Sequence, residues 1–243
     1  MARRVLVVDD EREIRTVLRA YLEAEGHVVV EAATGAEALR RALATDGSAP
    51  DVVLLDIGLP DLDGLEVLRT LRRSSDVYVI LVTARAEEVD TLIGLSTGAD
   101  DYVTKPFSPR EVVARVRTVL RRLRDPADEP AGRVADDHVL RFPGLTLDPQ
   151  RRELHVDGHE VRLSALEFDL LHALAASPGR VFSRAQLLEE VWGYDFYGDE
   201  RVVDVHVRGM RKALGDDAAA PRVIGTVRGV GYKFLLPPEE HHP

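Results

Sequence analysis

Five short runs in the first half of the chain set the strongest limit on its fold. They read "RVLVV" (4–8), "HVVVE" (27–31), "DVVLLD" (51–56), "VYVILVT" (77–83) and "DYVT" (101–104). Most are apolar at successive positions rather than at every second one. A strand of that kind must be buried on both faces. Between the runs lie segments of helical period. In 11–26, Ile14, Val17, Leu18, Tyr21 and Leu22 fall on one face, and Gly26 stands where a C-cap belongs. Segments 35–44, 64–73, 87–98 and 109–123 follow suit, with Pro109 in the first turn of the last. Five β-then-α units predict an α/β doubly wound, five-stranded parallel sheet with helices on both faces.

The pattern stops at 124–137, "RDPADEPAGRVADD", which is polar, carries two prolines and has no apolar period. It reads as a linker. The second half alternates over short strands (138–164), with Asp157-Gly158 marking a hairpin turn and Asp148-Pro149 another turn. Helices are expected at 165–176, 184–192 and 201–215, a loop at 193–200, and a terminal hairpin at 222–236 turning at Gly229-Val230-Gly231. The expected division is a first domain at 1–123, a linker at 124–137, a second domain at 138–237 and a tail at 238–243. There are no internal repeats.

Composition excludes more than it selects. The 243 residues include no cysteine, which removes disulfides, thiolate metal sites and cysteine nucleophiles together. The longest apolar run, "VYVILV", is too short to span a bilayer, and acids interrupt the N-terminal apolar run too early for a signal peptide, so a cytoplasmic protein is expected. A net charge of −10 does not announce nucleic-acid binding, which must rest on local charge.

Acids cluster where the sheet would end. Asp9 and Asp10 follow the first strand and Asp56 ends the third. In the strand order 2-1-3-4-5 those two strands flank the crevice beyond their carboxyl ends, where ligands bind. Two like charges about 4 Å apart repel by roughly 4 kcal/mol at an effective dielectric near 20. A cation must offset this, and a carboxylate-rich pocket suits Mg²⁺. Lys105, after the fifth strand, brings a second cation, and Thr83, ending the fourth, a hydroxyl. That set fits phosphoryl transfer to a carboxylate. A single Asp at a strand end is more often a turn residue or helix N-cap, and Asp61 and Asp63 are read that way, ahead of the helix at Gly64. It is the coincidence of four strand ends that favours chemistry.

"VLVVDDE", "LLDIGLPDLDG", "VTA" and "GADDYVTKPF", in this order, resemble the receiver domain of two-component response regulators over residues 3–123. The resemblance implies that Asp56 accepts a phosphoryl group from the phosphohistidine of a sensor histidine kinase. It assigns Asp9, Asp10, Asp56 and the Gly58 carbonyl to Mg²⁺, Lys105 and Thr83 to the phosphoryl oxygens, and Tyr102 with Thr83 to a switch. Lys105-Pro106 would be cis. A haloacid-dehalogenase-type phosphatase also uses a strand-end Asp, but it wants a second Asp where Gly58 stands. A nucleotide-binding sheet lacks its glycine-rich loop here.

In the helix at 201–215, Val203, Val207, Met210 and Leu214 form a core stripe. Arg201, Val205, Arg208 and Lys212 lie roughly opposite, a cationic stripe suited to a major groove. His206 and Arg211 sit between the stripes, within expected reach of phosphates. From 201 to 235 seven basic residues face three acids, +4 in a chain of −10. A solvated helix face is the plain alternative. Arg228, in the glycine-rich "VRGVGY", would suit a minor groove. "LSALEFDLLHAL", "VFSRAQLLEEVWG", "RVVDVHVRGMRKALG" and "TVRGVGYKF" resemble the winged-helix domain of the OmpR/PhoB type over 138–236. That implies a recognition helix at 201–215, a wing at 228–232, and Arg184 and Trp192 near phosphates, although Trp192 is equally a core residue. The loop with Tyr194, Phe196 and Tyr197 corresponds to one that meets RNA polymerase, a candidate partner; packing beneath the loop is the other reading. Gly209 departs from the basic or polar residue of many relatives. It either removes a base contact or permits a closer approach.

The resemblance further implies a homodimer on phosphorylation, through a face holding Leu92, Leu95 and Ala114 with charges from Glu88, Asp100, Asp101, Glu111, Arg115 and Arg122. Thr91 departs there, which removes one intersubunit ion pair and predicts weaker dimers. The expected protein is a phosphorylation-controlled DNA-binding transcriptional regulator and not a metabolic enzyme. A degenerate receiver on a DNA-binding protein, or a stand-alone phosphotransfer module, are the alternative classes. The intact acid, Thr and Lys set opposes the first and the second half of the chain opposes the other.

Overall fold

The computed structural model describes residues 2–83, 97–122, 139–192 and 200–239, with 121–122 described by backbone alone. The chain divides into two compact units, Met1–Leu123 and Arg124–Pro243.

In the first unit the elements run β1 Arg4–Val8, α1 Arg12–Ala24, β2 Val28–Ala32, α2 Gly35–Ala42, β3 Val52–Asp56, α3 Gly64–Arg72, β4 Tyr78–Thr83, β5 Asp101–Thr104 and α4 Pro109–Arg122. The helix expected at 87–98 lies almost wholly outside the described residues. The five strands are parallel in the order β2-β1-β3-β4-β5, as the apolar runs require. Every residue of β3 and β4 is buried, which is why neither shows a two-residue period. Helices bury their apolar stripes on this sheet through residues such as Leu18, Leu22, Val67, Leu71, Val112 and Val116.

Helix ends are closed by side chains. Thr34 caps α2 by accepting from the Glu37 amide, and Asp63 caps α3 by accepting from Leu65. Asp61 does not serve its own helix. Its carboxylate accepts from the Gly35 and Ala36 amides at 2.7 and 2.9 Å, so it caps α2 from a distant loop. Those bonds hold its carboxyl below the usual range, the Ala36 amide most strongly.

The second unit opens with an antiparallel sheet, β6 Leu140–Phe142, β7 Leu145–Asp148, β8 Glu153–Val156 and β9 His159–Glu160. Its β8–β9 turn is Asp157-Gly158, both at positive φ (49° and 79°), the two-residue loop whose twist matches paired strands. Then come α5 Ala165–Ala175, β10 Phe182–Ser183, α6 Arg184–Trp192, α7 Arg201–Leu214 and the hairpin β11 Ile224–Val227, β12 Gly231–Phe234. β12 lies between β10 and β11. The capping box Ser164/Glu167 starts α5, and Gly215 at φ 63° ends α7. Three helices pack with a small antiparallel sheet, and among the described residues Arg201, Arg208 and Lys212 of α7 are exposed.

Candidate functional site

Strand register alone brings the charged residues of the first unit to one line. Val8 pairs with Leu55, so Asp9 follows β1 beside Asp56 at the end of β3. Asp56 pairs with Val82 and Thr83 with Thr104, which places Thr83 and then Lys105 on the same edge. The Lys105 amide donates to the Thr83 carbonyl at 2.7 Å, and the Lys105-Pro106 bond is cis. Lys105 Nζ then reaches back into the crevice. It lies 2.8 Å from Asp9 Oδ2, 3.0 Å from Asp56 Oδ2 and 3.3 Å from Glu11 Oε1. Asp9 Oδ1 accepts from the Glu11 amide at 2.9 Å, and Asp56 Oδ1 from the Gly58 amide at 3.3 Å.

Asp9, Asp56 and Thr83 are buried, whereas Asp10 is exposed at the rim. Burial pushes the Asp9 carboxyl above its ordinary value, and the bonds from Lys105 and Glu11 counter only part of that. Burial works against the Lys105 ammonium too, but Asp9 and Asp56 outweigh it and hold that group above its ordinary value. One oxygen from each of Asp9, Asp10 and Asp56 lies within 4.8 Å of the others. A donor set made wholly of carboxylate oxygens, half buried and balanced by one ammonium, fits a hard divalent cation such as Mg²⁺. The set includes no soft or nitrogen ligand that would favour a transition metal.

Gly64 presses α3 against the end of β3. A Cβ there would lie 2.2 Å from the Asp56 carbonyl oxygen, and the Gly64 amide donates to the Ile57 carbonyl at 2.9 Å. Any side chain would push the Asp56 backbone out of line.

In the second unit, α7 buries Val203, Val207, Met210 and Leu214 and exposes Arg201, Arg208 and Lys212, with Val205 half-buried among them. Its seam with the hairpin is polar. Asp204 Oδ1 accepts from Arg184 Nε at 2.7 Å and from the Tyr232 hydroxyl at 2.6 Å. The Arg184 and Arg211 guanidinium carbons lie 5.3 and 5.9 Å from the centre of the Tyr232 ring. Burial and the bond to Asp204 push the Tyr232 phenol up to about 12. Arg211 Nη2 donates to the Ile224 carbonyl and the Thr226 hydroxyl, at 2.7 and 2.8 Å. Just past α7, the buried Asp216 carboxylate accepts the amides of Arg222, Val223 and Ile224.

Known proteins show the same two halves. Residues 5–117 match the response regulator receiver domain family, and 158–234 match the family of transcriptional regulatory protein C-terminal domains. The transcriptional regulatory protein SrrA of Staphylococcus aureus is 43% identical over 96% of this chain and 96% of its own. The probable transcriptional regulator ycf27 of Guillardia theta is 43% identical over 98% of this chain and 92% of its own. Among solved structures, a mutant of RitR covers 96% of this chain and 99% of its own, at 28% identity and a TM-score of 0.76. The response regulator DrrB, a Thermotoga maritima OmpR/PhoB homologue, covers 97% of this chain and 100% of its own, at 34% identity and a TM-score of 0.51. The chain is a response regulator of the OmpR/PhoB type. It joins a phosphorylatable receiver to a DNA-binding winged helix, in a family of transcription factors rather than metabolic enzymes.

The regulator brings Asp9, Asp10, Asp56 and Lys105 into one crevice, with Thr83 on the same edge and Tyr102 half-buried on β5. Several sequence expectations need correction. His206 is 1% exposed and packs its ring 5.6 Å from that of Trp192, so both are core and His206 cannot reach a phosphate. A helix residue between two stripes follows whichever neighbour packs closer, and here α6 covers it. Arg211 is half-buried and engaged by β11. Asp100 is fully buried, accepting from Arg72 Nη2 at 2.6 Å and the Val79 amide at 2.8 Å, so it is no surface charge. Asp101 is also buried, in a two-bond pair with Arg115. Gly209 is half-buried, and a Cβ there would lie 2.0 Å from Glu167 Oε1, the tip of a side chain in the α5 capping box. A side chain at 209 would have to displace the Glu167 carboxylate from that box.

Leu92, Leu95, Glu88, Thr91 and the loop 193–199 lie outside the described residues, as does the Arg122 side chain. Sequence reasoning missed Glu11, Gly64, Asp204 and Tyr232. Glu11 had a signal, being the third acid of "DDE". Asp204 enters the sequence reading only as one of the three acids of 201–235, without its partners, which come from α6 and β12.

Proposed function

We propose that Asp56 is the phosphoacceptor, and that a sensor histidine kinase supplies the phosphoryl group. An Asp56 oxygen attacks phosphorus, the P–N bond of the phosphohistidine breaks, and the electron pair leaves on the histidine nitrogen. The observation that carries this reading is the sharing of Lys105 Nζ between Asp9 and Asp56 at the ends of β1 and β3. Asp9, Asp10, Asp56 and the Gly58 carbonyl would hold Mg²⁺, which when bound neutralises charge on the phosphoryl oxygens. Lys105 follows the new charge and pairs with a phosphoryl oxygen. Thr83 donates its hydroxyl to another, and Tyr102 responds to that movement. The receiver supports only its own phosphorylation and the slow loss of the group.

The effect on DNA follows from the second unit. The reading places α7 in a major groove, with Arg201, Val205, Arg208 and Lys212 toward the bases and phosphates and Arg184 at the backbone. Arg228 and the wing at 228–232 meet a minor groove. Residues 1–123 form the receiver, 124–137 the linker, 138–237 the DNA-binding domain and 238–243 a tail. Phosphorylation favours a homodimer through Ala114, Glu111 and Arg115 with residues of 87–98. Among the described residues no helix is long and apolar enough to cross a membrane. Work on promoter DNA, with RNA polymerase a further partner, places the protein in the cytoplasm.

Intact mass after incubation with acetyl phosphate and Mg²⁺ tests the first step. One added phosphoryl group is expected on the wild type, and none on Asp56→Ala or after Mg²⁺ is chelated. Phosphorylation of Asp56→Ala equal to wild type would refute the assignment.

A further inference from the structure

The DNA-facing side of α7 contains an acid where electrostatics alone would not place one. Asp204 lies one turn from both Arg201 and Arg208, and its side chain is 40% exposed. A carboxylate on a surface that meets phosphates opposes binding through its charge. Its bonds indicate what it does in return. A single oxygen, Oδ1, accepts from Arg184 Nε and from the Tyr232 hydroxyl. Arg184 starts α6, Asp204 lies in the first turn of α7, and Tyr232 belongs to β12. One carboxylate therefore ties together the two helices of the helix-turn-helix and the wing.

The chemistry of that tie is directional. Asp204 engages Nε, so the fork of terminal guanidinium nitrogens, the part suited to a phosphate, is not consumed by it. The Tyr232 ring lies beside the guanidinium and limits its rotation. An arginine on the surface has several rotatable bonds and loses rotamer freedom on binding. Held at Nε and beside a ring, Arg184 has already lost much of that freedom.

We propose that Asp204 is a positioning residue for DNA binding: it orients the Arg184 guanidinium toward a backbone phosphate and locks the wing to the recognition helix. The inference rests on the reading that α7 and the wing meet DNA. It makes a prediction of opposite sign to simple charge. Removing Asp204 deletes a repulsive carboxylate, which by itself tightens binding, yet the positioning role requires that binding weaken.

The test uses the full-length protein with Mg²⁺ and beryllofluoride, and a duplex enriched by the wild-type protein from a randomised pool. Affinity is measured over a salt series. Asp204→Ala and Arg184→Ala are each expected to lose about tenfold in affinity, the scale of one charge-assisted bond. Each should also reduce the slope of log K against log salt by about 0.9, one phosphate contact. The double variant should lose less than the two single losses combined, because the Arg184 part of each loss is shared while the tie to Tyr232 is lost only with Asp204. Asp204→Asn, which keeps an acceptor for both donors, should fall between wild type and Asp204→Ala. A purely structural role would lower thermal stability without removing one unit of salt slope, so the slope separates the two. Asp204→Ala that binds as tightly as wild type or tighter, keeps the slope, or costs as much in the Arg184→Ala background as alone would overturn the proposal. A variant with Arg201, Arg208 and Lys212 all changed to Ala is the control. If it binds like wild type, the DNA face itself is wrong and this inference falls with it. If it loses binding while Asp204→Ala does not, only the positioning role fails.

Discussion

The two charged regions of this protein are built in different ways. In the receiver crevice the backbone does the placing. Asp9, Asp56, Thr83 and Lys105 stand at or just beyond the ends of four neighbouring parallel strands, and strand register fixes their spacing before any side chain is considered. On the DNA-binding side the backbone places a helix, and side chains hold that helix to its surroundings. Asp204, Arg211 and Asp216 all bond across to other elements. The crevice concentrates like charge in a buried place and needs cations. The proposed DNA face spreads cations over solvent and needs rigidity. A site built on strand ends is therefore sensitive to charge and to backbone contact, and one built on a helix surface is sensitive to its ties.

Changes that attack each design should separate them. The largest effect is expected from Lys105→Ala, which leaves Asp9 and Asp56 buried without their ammonium. A loss of about 3 kcal/mol is expected without Mg²⁺, read by urea unfolding of the receiver transition, together with at least tenfold slower phosphorylation. Mg²⁺ should restore much of the stability and little of the rate. An unchanged midpoint would show that the crevice is not held by charge balance.

Asp216→Ala attacks the other design. It strips three backbone amides of their acceptor, and a cost of about 2 kcal/mol is expected in the second unit, with weaker DNA binding and unaltered phosphorylation. Amide hydrogen exchange at 222–224 would locate the damage. If protection there stays as in wild type, the hairpin does not depend on this carboxylate.

Gly64→Ala tests the backbone contact behind Asp56. The added Cβ meets the Asp56 carbonyl oxygen and Ile57 Cα, and a cost of about 1–2 kcal/mol is expected, as for overpacking. Phosphorylation should slow although no charge has changed. Normal kinetics would mean that the end of β3 tolerates displacement.

The smallest effect is expected at Gly209. Alanine gains about 1 kcal/mol of helix propensity, and it displaces Glu167 from a capping box worth a similar amount. The net change should be within about 0.5 kcal/mol and DNA affinity within about twofold, by calorimetry and titration. A large affinity change would return Gly209 to the DNA surface.

Much of this was legible in the chain. Runs of apolar residues demanded a covered parallel sheet, and acids at two strand ends, Thr83 at a third and Lys105 at a fourth marked the crevice. These features depend on local period and on strand order, which a linear pattern carries. The stripe of Val203, Val207, Met210 and Leu214 was equally plain, because a helix repeats every 3.6 residues. What the pattern could not carry was the direction of side chains near a boundary. His206 and Asp100 turned inward because neighbouring elements cover them, and Asp61 caps a helix that begins 26 residues before it. Sequence by itself determined which elements form and which residues stand at their ends, since period and strand order are properties of the chain. Only the tertiary structure decided which of those residues touch, since Lys105 with Asp56, Arg184 with Asp204 and Gly209 with Glu167 meet across elements whose packing no local pattern encodes.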